Sequence, residues 1–199
     1  MSMRLRLCVL NTTAVLALGC GQDAQPVSPS LDSPAVASGE RGSIAKAVAA
    51  IEHVVTLFDA CDPQTFNAAL GAGTCTRAGG VTFQNFLEQL GRHHSVGGWH
   101  FAPREVRMNV GQTLAAVNRG GETHTFTEVE EFGGGIVPML NDLAGVPNVA
   151  PECNQLAPGD FLAPGARSAE TEEESAVEKY QCCIHPWMRA EVRIVEKGK

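Results

Sequence analysis

Three residues near the end of the chain have the types and spacing to hold a metal. In Val177 to Met188, VEKYQCCIHPWM, a strand-like run leads into Cys182, and His185 and Met188 follow at steps of three. A thiolate, an imidazole and a thioether so close together suit a soft or borderline metal. With a second imidazole from elsewhere they make the His2Cys set with a weak axial Met that serves electron transfer at copper. Zinc is the poorer match, because a thioether is a weak zinc ligand and only one thiolate is on offer. The plainer alternative is a disulfide, a core methionine and a surface histidine, since cysteines of exported proteins are usually bridged.

Cysteine parity bears on that choice. Of seven cysteines, Cys8 and Cys20 fall in the first twenty residues, leaving Cys61, Cys75, Cys153, Cys182 and Cys183. An odd number leaves one thiol for another task. If Cys182 is a ligand, the other four can pair: Cys61 with Cys75 is the local option, which leaves Cys153 with Cys183. The sequence alone keeps the connectivity open.

Residues 1 to 20 read as an address. Arg4 and Arg6 precede an apolar stretch too short to span a membrane, which ends in Leu16-Ala17-Leu18-Gly19-Cys20. That ending resembles a bacterial lipobox, although Ala17 stands where leucine is usual, and it implies an exported protein anchored through a lipid on Cys20. A freely secreted or periplasmic form is the alternative. The formal charge of −7 argues against a nucleic-acid partner.

The elements that would position the ligands follow in chain order. Residues 21 to 43, rich in Pro, Ser, Ala and Gly, form a flexible linker. Ile44, Val48, Ile51, Val55 and Phe58 recur at helical steps and predict a helix over Ile44 to Phe58, with His53 off its apolar stripe. Cys61 to Gly80 reads as a stapled, Gly-rich loop opened by Asp62-Pro63. Thr82 can cap a short helix carrying Phe83, Phe86, Leu87 and Leu90, ending near Gly91, after which His93 and His94 sit in a solvated turn. The segment 44–97 is thus expected as a helical and loop extension.

Strand signals begin at Trp99. Trp99, Phe101, Val106, Met108 and Val110 alternate with polar residues, with a break at Pro103, and His100 falls on the polar face. Thr113 to Val117 and Thr123 to Phe126 flank a Gly-rich hairpin-like loop. Residues 128 to 176 hold five prolines and Gly133-Gly134-Gly135, which argue against long regular elements. Their acidic run, Glu170 and Glu172 to Glu174, reads as a solvated loop, with docking of a basic redox partner as the sharper option. A last strand is expected over Ala190 to Glu196.

The loop YQCCIHPWMRAEV resembles the ligand loop of the cupredoxins, the blue type 1 copper proteins, most nearly the amicyanin and plastocyanin type, through its Cys-x-x-His-Pro-x-Met-Arg spacing. Asn118 to Phe126, NRGGETHTF, is similar to the family's upstream motif, a Gly-rich turn followed by a histidine. The resemblance covers residues 98 to 199 and implies a mainly β, cupredoxin-like Greek-key β-sandwich with a small N-terminal helical extension. It implies one type 1 copper held by His124, Cys182, His185 and the axial Met188, and it gives His185 a surface position as the electron exit, rimmed by Pro186, Trp187 and Met139 or Pro138. Two features depart from the family. Thr125 stands where many members have an asparagine that ties the two ligand loops together, and Cys183 adjoins the ligand. Successive side chains at a strand end point opposite ways, so Cys182 can face the metal while Cys183 turns towards Cys153.

The expected function is outer-sphere transfer of single electrons between redox proteins such as a cytochrome or dehydrogenase, with no catalytic role. Copper storage or delivery by the same ligands is the alternative. Membrane contact is expected only through the anchor at Cys20.

Overall fold

The computed structural model describes residues 52–198. The expected leader, linker and anchor site at Cys20 lie outside the described residues. The described residues form a mainly β sandwich of two four-stranded sheets around a shared core. In sequence the strands of the two sheets are β1 (Glu52–Phe58), β2 (His100–Ala102), β3 (Glu105–Asn109), β4 (Thr113–Asn118), β6 (Thr127–Val129), β8 (Arg167–Thr171), β9 (Val177–Gln181) and β10 (Arg189–Val195). One sheet is ordered β2-β1-β4-β8 and the other β3-β10-β9-β6. A separate two-stranded pair joins β5 (His124–Thr125) to β7 (Phe161–Leu162).

Strand β1 corrects the helix expected over Ile44 to Phe58, so far as that stretch is described. It pairs antiparallel with β2 and parallel with β4. Val55 and Leu57 are fully buried and Val54 is exposed, the two-residue period of a sheet. The run Val54-Val55-Thr56 is β-branched, stiff at χ1 and suited to a pleated surface, so pairing on both edges overrides an apolar spacing that also fits a helix. The first sheet therefore draws on residues the sequence assigned to an extension, and the helices fall between β1 and β2.

Those helices are α1 (Pro63–Leu70) and α2 (Phe83–His93). The first was expected as loop. Asp62 caps it, accepting from the Thr65 N–H at 2.9 Å, and Pro63 opens it, where a missing N–H costs nothing. Helix α2 starts as expected at Thr82, whose hydroxyl accepts from Asn85 N–H. It ends at His94, in the left-handed conformation, with Nδ1 2.8 Å from the Leu143 carbonyl oxygen. Phe66, Phe86 and Trp99 bury their rings together, with centroids 4.8 to 5.8 Å apart, and fasten the helices to the start of β2.

The breaks expected across residues 128 to 176 are present, with one short helix, α3 (Pro138–Leu143), among them. Cys61–Cys75 and Cys153–Cys183 are disulfides, and Cys182 is the free cysteine among the described residues. His53 lies 3.2 Å from Gln112, and His100 stacks on Phe58, so both keep structural contacts away from the metal-ligand candidates.

Within the acidic run, Glu172 departs from the solvated reading, at 8% exposure. Burial, reinforced by Glu178, Glu170 and Glu128, pushes its carboxyl up to about 7. The folded chain then holds that proton more tightly than the unfolded one. This contribution to stability is complete below the unfolded carboxylate range and is lost as pH rises through about 7. Glu172→Gln should flatten the fall in melting temperature between about pH 5 and about pH 8. Parallel curves for the two proteins would contradict this account.

Candidate metal centre

Register brings the ligand candidates to one edge. In the second sheet Thr127 lies opposite Gln181, and Gln181 opposite Arg189. The residues just before β6, just after β9 and just before β10 therefore meet, and these are His124 with Thr125, Cys182, and Met188.

Asn118 shapes the loop that delivers His124. It is fully buried, donates from Nδ2 to the carbonyls of Glu122 and Leu162, both at 2.7 Å, and accepts from Gly120 N–H at 2.8 Å. Two of these bonds fix the chain between β4 and β5, and the third ties it to β7. The second loop is closed by its own backbone: Cys182 N–H donates to Met188 O at 3.0 Å and Met188 N–H to His185 O at 2.9 Å. Arg189 clamps its rear, donating from Nε to Pro186 O at 2.7 Å while its guanidinium lies 4.9 Å over the Phe132 ring.

Thr125 ties the two loops together. Its hydroxyl accepts from Cys183 N–H at 2.7 Å and from the Thr127 hydroxyl at 3.0 Å, and its own N–H points at Cys182 Sγ, 3.4 Å away. A threonine thus makes the inter-loop bond for which the sequence offered no carboxamide. Cys183 faces away from Cys182 into a small apolar cluster and bridges to Cys153, as strand alternation requires.

The donor atoms converge. Cys182 Sγ lies 3.8 Å from Nδ1 of His124 and 3.8 Å from Nδ1 of His185, and the two Nδ1 atoms are 3.2 Å apart. The point equidistant from all three is about 2.1 Å from each, close to an ordinary metal–imidazole bond length. Met188 is fully buried beside them in the loop. Burial alone would push the Cys182 thiol up, but His124 and His185 hold it well below the usual thiol range. Burial would likewise pull the His124 imidazole down, yet Asp59 and Cys182 raise it to about 9. The two rings therefore favour the thiolate form of Cys182. The donor set fits a soft or borderline ion.

The position of His185 differs from the one the resemblance implied. It is 3% exposed, not on the surface. The Trp187 ring stands 5.5 Å from it edge-on and the Phe86 ring of α2 lies 6.4 Å away, so the segment between β1 and β2 covers this imidazole. Pro186 is buried as well, whereas Pro138 and Met139 are exposed. Above His185 opens a pocket of about 400 Å³, walled by Phe66, Leu70, Phe83, Met139 and Ile184.

Two carboxylates that the sequence gave no reason to single out stand behind the histidines. Asp59 Oδ2 lies 2.9 Å from His124 Nε2. Glu122 Oε2 accepts from Trp99 Nε1 at 2.7 Å and lies 3.8 Å from His185 Nε2. Burial pushes the Glu122 carboxyl above the ordinary range, against the pull of His185 and Trp99. Glu122 is legible only as the residue two before His124, and Asp59 only as the residue that follows β1. Asp59, Cys61 and Glu122 also cluster, but Cys61 is bridged and has no thiolate to offer.

No protein-family model matches the chain, and no curated protein does. Among solved structures, a purple cupredoxin from Nitrosopumilus maritimus is similar at 23% identity and a TM-score of 0.37, over 50% of this chain and 85% of that one. A mutant amicyanin in its Cu(I) form is similar at 20% identity and a TM-score of 0.32, over 48% and 72% of the two chains.

Thr125→Val should leave the buried Cys183 N–H unpaired and cost about 1 to 3 kcal/mol of unfolding free energy. Chemical denaturation checks this, and an unchanged midpoint would show that the inter-loop bond carries no net stability.

Proposed function

We propose that this is an exported type 1 copper protein that carries single electrons by outer-sphere transfer, with His124, Cys182 and His185 as equatorial ligands and Met188 as the weak axial one. The observation that carries the reading is the buried triangle of two Nδ1 atoms and one Sγ with sides of 3.8, 3.8 and 3.2 Å. When bound, copper would supply the one-electron couple. The chain's residues hold the donors still, and that rigidity keeps the rearrangement between oxidation states small. Thr125, Arg189 and the two backbone bonds that close the loop do this work in the second ligand loop, and Asn118 does it in the first. N–H groups of Thr125 and His185 point at Cys182 Sγ, each from 3.4 Å, and favour its thiolate form.

With His185 covered, an electron leaves across the layer of Phe86 and Trp187. Leu70 and Met139, 52% and 53% exposed and lining the same pocket as Phe86, are the proposed face for a redox partner such as a cytochrome or dehydrogenase. Two disulfides are in keeping with an oxidising compartment, the periplasm or the outer face of a bacterial membrane, reached by the leader and held by a lipid on Cys20.

Absorption spectroscopy of the Cu(II)-loaded protein tests the reading. An intense thiolate-to-copper band in the visible is expected, and Cys182→Ser should abolish it; a band that survives the substitution would overturn the ligand assignment. A colourless protein that takes up only Cu(I) would instead mean storage or delivery. Met188→Gln should retain copper and lower its reduction potential, because a harder axial ligand favours Cu(II). Potentiometry reads this shift, and an unchanged value would remove Met188 from the ligand set.

A further inference from the structure

We propose that Asp59 is a positioning residue for His124, fixing its tautomer and biasing the site towards the oxidised ion; the inference rests on the copper reading above. A neutral imidazole carries its proton on either nitrogen, and only a bare Nδ1 can bind the metal in this arrangement. Asp59 Oδ2, 2.9 Å from His124 Nε2, can only accept, so it requires the proton on Nε2 and leaves the Nδ1 lone pair facing Cys182 Sγ and His185 Nδ1. Carboxylates placed this way behind ligating histidines orient the ring and raise its basicity.

The surroundings of Asp59 are built to keep it there. Its side chain is 1% exposed. Oδ2 also accepts from Glu122 N–H at 2.9 Å, and Oδ1 accepts from Cys61 N–H at 3.3 Å. Gly120 leaves the necessary room, since a Cβ there would come within 1.8 Å of Oδ2. Cys61, bridged to Cys75, anchors the next turn of chain. The carboxylate is therefore held by its own turn through Cys61 and by the loop that carries His124 through Glu122, so the residue after β1 contributes to a site whose proposed ligands all lie after residue 120.

The charge count gives the direction of the redox effect. Cu(II) with one thiolate carries a net positive charge, which the Asp59 carboxylate cancels. Cu(I) with the same thiolate is neutral, and Asp59 leaves an uncompensated negative charge in the protein interior. Removing that charge should weaken Cu(II) binding and leave Cu(I) binding almost untouched.

Asp59→Asn keeps an acceptor of the same shape and removes the charge. The expected result is a Cu(II) affinity lower by roughly 10- to 100-fold with the Cu(I) affinity unchanged, equivalent to a potential higher by about 60 to 120 mV. Equal losses for both ions would assign Asp59 a merely structural role and overturn the inference, as would an unshifted potential in a protein that keeps its visible band. A wild-type protein lacking that band would bring down the copper reading and this inference with it. Should the variant fail to fold, nitrogen-15 NMR of the wild-type Cu(I) protein decides: a slowly exchanging Nε2–H on His124 supports the assignment, and a proton on Nδ1 refutes it.

Discussion

A thiolate without water around it needs compensation, and the arrangement of this protein follows from that need. Cys182 is fully buried, and taking an ionised group out of water costs several kcal/mol unless charge and hydrogen bonds replace the lost solvation. Two imidazoles and two backbone N–H groups meet the sulfur here. Their aligned Nδ1 atoms leave a gap suited to one cation, and every neighbouring feature keeps that gap from collapsing or flooding. Asn118 holds one loop, Thr125 and Arg189 the other, and the sandwich supplies the register that makes the loops meet.

The segment between β1 and β2 changes the character of this centre. Without that segment the ring of His185 would lose the Phe86 side of its cover. Here α1 and α2, packed through Phe66, Phe86 and Trp99, cover it with aromatic carbon, and Trp99 pins Glu122 beside it. A low-dielectric cover strengthens every charge beneath it, so the two carboxylates behind the histidines act on the site far more than surface charges would. Exclusion of water and placement of charge are thus the work of one inserted segment.

How much of this could be read in advance depended on whether the signal was local. That Cys182 and His185 come together was legible because both stand in one short stretch, and His124 joins them through the Gly-rich turn that carried the resemblance. Parity and strand alternation offered the two disulfides as one option, and the structure settles it. Strand β1 was not legible: Val55 and Phe58 fit a helical spacing as well as a strand, and only its pairing with β2 and β4, far along the chain, decides between them. Helix α1 was missed although Asp62-Pro63 is a cap followed by an N1 proline, because the glycines after it weighed more heavily. Asp59 and the covered position of His185 were beyond reach for a deeper reason. Both arise from contacts between segments more than sixty residues apart, and no spacing within either segment encodes them.

The neighbouring cysteines make assembly depend on sequence of events. Cys182 and Cys183 sit side by side, and Cys153 must choose between them. A chain that pairs Cys153 with Cys182 loses the one free thiol among the described residues and turns the wrong side chain outward. Correct pairing is favoured once β9 is in register, because the pleat then presents Cys183, and not its neighbour, to Cys153. Folding of the sheet thus acts as proofreading for the thiol chemistry, and which of the two neighbouring cysteines a preparation leaves free reports how faithfully its oxidation followed, and did not precede, formation of that strand.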